Sequence, residues 1–176
     1  RGRVARNGAT LIATTGTGLV WRSTDDGASW QRVRLGARGA SISVPVYAFG
    51  KFWVFNGQVA NSTDGLTWNV LSASGSARAV AFGNGRLTLE GYSSSNDGMS
   101  FTPSSMVDGG SGPRFNDIAF DRGLFVGVGD DGLVATSTDG QKWQGQSFPQ
   151  TTDDFRTVQS SATGWVAAGT NGLVAT

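Results

Sequence analysis

The feature that most constrains this chain is a short corner that it spells four times. Ser23-Thr24-Asp25-Asp26-Gly27-Ala28-Ser29-Trp30, Ser62-Thr63-Asp64-Gly65-Leu66-Thr67-Trp68, Ser95-Asn96-Asp97-Gly98-Met99-Ser100-Phe101 and Ser137-Thr138-Asp139-Gly140-Gln141-Lys142-Trp143 share one pattern, and the first is a residue longer than the others. An Asp carboxylate in such a turn accepts hydrogen bonds from the backbone N–H groups that follow it, and the adjacent Gly supplies a positive φ without a Cβ clash. The preceding Ser adds a second side-chain to backbone bond, and the aromatic (Trp30, Trp68, Phe101, Trp143) folds back as an apolar lid. Each box therefore predicts a rigid hairpin corner. A calcium site would need clustered oxygens, whereas these Asp residues are spread along the chain.

Between boxes the chain reads as short strands separated by Gly-, Asn- or Asp-bearing turns, with no helix-period amphipathic run. Gly172-Leu173-Val174-Ala175-Thr176 repeats Gly132-Leu133-Val134-Ala135-Thr136 letter for letter, 40 residues on. Repeats of this size, four strands each, are the mark of propeller blades. The expectation is an all-β, single-domain β-propeller of about five four-stranded antiparallel blades, at 1–38, 39–74, 75–108, 109–149 and 150–176, the fifth incomplete. Pro45 belongs at a strand start or bulge. The third repeat is the odd one, with a shortened middle hairpin, Phe101 in place of the box Trp, and a surface loop over 106–113.

Composition narrows the chemistry. The 176 residues include no Cys and no His, which removes disulfides, thiolate metal sites and the usual general base. No cofactor is expected. No run of about 18 apolar residues is present, so no membrane span is expected. The chain opens on Arg1 without Met and reads as a processed chain or excised segment. Residues 1 to 38 hold seven Arg against two Asp, net +5, and the remainder is net −4. Arg32 and Arg34 alternate with Val33 and Leu35 as the wet face of an outer strand; they are also candidates for binding an anionic or acidic partner. Nucleic acid is not the expected partner.

The pattern Ser-x-Asp-(x)-Gly-x-[Ser/Thr]-[Trp/Phe] resembles the Asp-box, the bacterial neuraminidase repeat. That resemblance implies a β-propeller of the kind found in sialidases, sortilin-type receptors, photosystem II assembly factors and many exported bacterial proteins, and hence an extracytoplasmic location. It also raises glycoside hydrolysis, which in sialidases uses an arginine triad, a Tyr nucleophile with Glu, and an Asp acid. The materials are thin: Glu90 is the single glutamate, and Tyr47 and Tyr92 are the two tyrosines. Phe155-Arg156-Thr157-Val158 half resembles the sialidase Arg motif but lies near the wrong end. Glu90, read as a second-strand residue, would need Arg78 or Arg86 beside it if it points inward. The leading expectation is a non-catalytic module binding a protein or glycan, with Arg32, Arg34, Glu90 and Arg156 as candidate contacts. The alternatives are self-association through the incomplete fifth blade, as a structural or assembly module, and a sialidase-like glycosidase fragment.

Overall fold

The computed structural model describes residues 3–15, 19–35, 44–55, 59–71, 77–146 and 152–176. Two compact units divide the chain after Ala77. Nearly all regular structure is β; the only helical elements among the described residues are single 3-10 turns at Asp130–Gly132 and Thr170–Gly172.

The first unit holds two antiparallel four-stranded sheets, each a simple meander. One runs β1 (Arg3–Asn7), β2 (Thr10–Thr14), β3 (Val20–Ser23) and β4 (Gln31–Val33); the other runs β5 (Val46–Ala48), β6 (Lys51–Phe55), β7 (Val59–Ser62) and β8 (Asn69–Val70). Pro45 immediately precedes β5, where its missing N–H costs no ladder bond. Ile12, Val20 and Val33 from the first sheet and Phe52, Val54 and Ala60 from the second form one core, with Trp68 packed against it. These sheets therefore bury their faces on each other, which a four-stranded sheet of this size cannot do alone.

The second unit holds three sheets. β9 (Val80–Gly83), β10 (Arg86–Leu89), β11 (Ser93–Ser95) and β12 (Thr102–Pro103) form a meander like those before. The chain then leaves β12 and adds β13 (Ser105–Met106), in parallel, to the outer edge of the following sheet of β14 (Asp117–Asp121), β15 (Leu124–Val128), β16 (Val134–Ser137) and β17 (Lys142–Gly145). The expected loop over 106–113 is thus corrected at its start: Met106 is a strand residue, and Ser105 also bridges Ser111. β18 (Phe155–Ser160), β19 (Trp165–Gly169) and β20 (Val174–Ala175) make the last, three-stranded sheet. Phe115, Phe125 and Trp143 anchor one core of this unit, and Val128, Phe155 and Val158 another.

Successive sheets within a unit are latched by side chains that reach one repeat onward. Arg22 Nε donates to Asp64 O, Asn84 Nδ2 to Gly123 O and Thr138 O, and Arg122 to the carbonyls of Ser161, Ala162 and Gly164. Asp117, fully buried, accepts from the Thr157 hydroxyl and the Val158 N–H. Small meander sheets built in this way, two in the first unit and three in the second, are the blades of a β-propeller.

Candidate functional site

The four boxes lie at equivalent corners, between the third and fourth strands of the first four sheets. In the second, Ser62 Oγ donates to Asp64 Oδ1 at 2.9 Å and accepts from Gly65 N at 2.8 Å, while Asp64 Oδ1 accepts from Leu66 N and Thr67 N at 2.8 and 2.9 Å. The third and fourth repeat this: Asp97 accepts from Met99 N and Ser100 N, Asp139 from Gln141 N and Lys142 N, with Ser95 and Ser137 donating to their carboxylates and capping Gly98 and Gly140. The longer first box differs because the extra residue, Asp26, takes a left-handed φ of 56°. Its Asp25 accepts one backbone N–H, from Ser29, and the Ser29 hydroxyl supplies the second bond. Asp26 itself points out to an exposed ion pair with Arg6.

Hydrogen bonds that favour the ionised form hold these carboxylates acidic. The Ser29 hydroxyl and N–H bring Asp25 down to about 2, and the Ser100 and Met99 N–H groups bring Asp97 to about 2. Asp64 is lowered by the Thr67 and Leu66 N–H groups. At Asp139, burial pushes upward but is outweighed by the Lys142 and Gln141 N–H groups. A carboxylate held ionised and aimed into its own turn is a structural acceptor and a poor proton donor near neutral pH.

The box aromatics diverge. Trp30 and Trp68 fold back so that their indole N–H groups donate to Gly27 O and Gly65 O at 3.0 and 3.1 Å, and Trp30 stays 39% exposed. Trp143 is completely buried, edge-on to Phe115 at 4.6 Å, and its indole N–H has no acceptor among the described residues. Phe101 is half-buried. The position after the box Gly carries an exposed apolar side chain at Leu66 and Met99.

The four candidate contact residues do not converge. Glu90 lies just past β10, in a turn with φ 50°, which corrects the second-strand reading. Its carboxylate accepts the Arg78 backbone N–H at 2.6 Å, with the exposed Arg78 guanidinium at 4.0 Å, while Arg86 turns to Ser94 Oγ. Arg156 pairs with Asp130 and Asp154 in a network that also takes in Asn116. Arg32 and Arg34 stand exposed on and just after β4, alternating with the buried Val33 and Leu35. Sequence reasoning did not find the Asn116–Asp130–Arg156–Asp154 network; Asn116 and Arg156 sit 40 residues apart, so the repeat period was the available signal. Among the described residues, no group of three His, Cys, Asp or Glu could hold a metal ion, and no helix is long and apolar enough to cross a membrane.

With this geometry, the class of protein is defined by fold: solved structures similar to the chain are β-propellers. An ancestral GH74 enzyme matches 94% of the chain at 17% identity and a TM-score of 0.66, the chain covering 27% of it. YCF48 bound to a D1 peptide matches 98% at 15% identity and a TM-score of 0.68, with 62% of its own length covered. A catalytically inactive virginiamycin B lyase from Staphylococcus aureus, in complex with quinupristin, matches 99% at 10% identity and a TM-score of 0.72, with 68% covered. The chain thus spans about a quarter of the first and under two thirds of the second. No family model and no curated protein matches the sequence. At these identities the likeness establishes the fold, which enzymes and a peptide-binding protein share.

Proposed function

We propose that this chain is a non-catalytic, protein-binding propeller module of the Asp-box type, belonging to an extracytoplasmic protein. The observation that carries the reading is how the polar chemistry is used. All four box carboxylates, Glu90 and Arg156 are engaged by neighbours within their own unit, whereas the box residues Trp30, Leu66 and Met99 present exposed apolar side chains. Aromatic and apolar side chains presented on a rigid scaffold are what protein recognition uses. The similarity to YCF48 bound to a D1 peptide supports the same reading. The extracytoplasmic assignment rests on the resemblance of the boxes to those of exported proteins; protease accessibility of the native protein on intact cells tests it.

The functional test pairs a selection with a turnover assay. A displayed library of randomised twelve-residue peptides is panned on the intact chain, and aryl sialosides and aryl glucosides are incubated with it. The expected result is reproducible peptide enrichment and no aglycone release above that of Glu90→Gln. A blank selection, or hydrolysis that Glu90→Gln abolishes, overturns the proposal.

A further inference from the structure

The fourth blade shows how an outer edge of this fold takes an added strand. β13 lies parallel to β17, Ser105 N donating to Gln141 O and Val107 N to Trp143 O. Met106 is paired with Trp143, packs against the same core and reaches over Gly145. The added strand therefore makes main-chain bonds and also covers the box tryptophan.

The first blade has the same edge with nothing on it among the described residues, where β4 is the outermost strand. Aligned through the box glycines, Ala28 and Trp30 occupy the places of Gln141 and Trp143, so their carbonyls are the counterparts of the two acceptors used by β13. Trp30 is exposed where Trp143 is covered. By the two-residue strand period, Trp30, Arg32 and Arg34 fall on one side of the strand, and Val33 and Leu35 are buried on the other. An unpaired edge of this kind recruits an extended segment through its backbone, with alternate side chains setting specificity.

We infer that the outer edge of the first blade is a docking site for an extended acidic peptide segment of a partner protein, which adds in parallel to β4. The geometry dictates its pattern: an apolar residue opposite Trp30, then acidic residues two and four positions later, opposite Arg32 and Arg34. The apolar residue repeats Met106 on Trp143; the acids answer two guanidinium groups that no aliphatic strand would satisfy. This site rests on the protein-binding reading and makes it specific.

The test uses the whole chain and the fluorescein-labelled peptide Ser-Leu-Thr-Glu-Val-Glu-Thr-Gly, with a control in which both Glu are Lys. Fluorescence anisotropy is expected to show binding of the acidic peptide, weakened about tenfold by Arg32→Glu with Arg34→Glu, and the double variant should instead bind the Lys peptide. Amide exchange should slow over residues 29–34 on binding. The charge reversal shows at once that the variant is folded. Binding unchanged by the double variant, protection elsewhere, or no binding of the acidic peptide overturns the site. Library peptides that enrich but protect another surface would remove this site and leave the protein-binding reading intact, whereas a blank library removes both.

Discussion

The first and fourth blades begin from the same corner and end differently. In the first, Trp30 is bonded to its own box through Gly27 O and keeps one side in solvent; in the fourth, Trp143 has left its box glycine and sunk among Phe115, Phe125 and Met106. The corner keeps its plan: in both, the Ser hydroxyl accepts from the box Gly N–H and the Asp carboxylate accepts from the N–H groups that follow, Ser29 alone in the first and Gln141 with Lys142 in the fourth. What differs, among the described residues, is whether a further strand lies on the outer edge. A single box thus fixes the turn, and the neighbouring chain decides whether the aromatic becomes core or surface.

The largest effect that separates the two blades is expected on stability. Trp143→Ala removes a fully buried side chain and should cost about 3–5 kcal/mol, whereas Trp30→Ala should cost about 1 kcal/mol or less, chiefly its one hydrogen bond. Chemical denaturation of both variants measures the gap. Equal losses would mean that the two tryptophans play the same part.

The second box sharpens the contrast because it is braced through its glycine. Gly65 has φ 72°, and a Cβ there would lie 2.4 Å from Ile12 Cδ1, so Gly65→Ala should destabilise by about 2–3 kcal/mol. A loss below about 0.5 kcal/mol, within the range of ordinary surface substitutions, would show that the box does not press on the first sheet.

A smaller effect tests the added strand β13 directly. Met106→Ala, at a half-buried position, should cost about 1 kcal/mol and make Trp143 accessible to acrylamide, while quenching of Trp30 stays as it was. The two emissions are separated by comparing Trp→Phe variants at each position. If Trp143 remains unquenched, β13 is not its cover.

The box corners were legible in the sequence because each closes within about a turn: Ser62, Asp64 and the N–H groups of 65 to 67 are neighbours in the chain. The strands between them were legible for the same reason, through alternating apolar residues and turn glycines. What sequence reasoning missed acts over one whole repeat. Arg122 reaches carbonyls 39 to 42 residues away, Thr157 donates to Asp117 at a separation of 40, and Ser105 pairs with Lys142. Local pattern carries no information on such contacts, although the 40-residue period of the fourth and fifth repeats gave their spacing. Glu90 was misplaced for a different reason. Its backbone sits at φ 50° in a tight turn, a conformation that a glutamate among apolar neighbours does not advertise.

In all four boxes the Asp carboxylate is committed to its own turn. The most direct measurement is a carboxyl-carbon NMR titration of the intact protein, resolving Asp25 and Asp97. Both groups are lowered in the folded state, so their contribution to stability is fully present above the ordinary carboxylate value of 3.8 and is lost as pH falls toward about 2. The expected midpoints are therefore about 2, and Asp97→Asn should flatten the acid limb of the stability curve between those two values. Midpoints at the ordinary 3.8 would show that the turns do not hold these carboxylates and that the boxes are not closed by them.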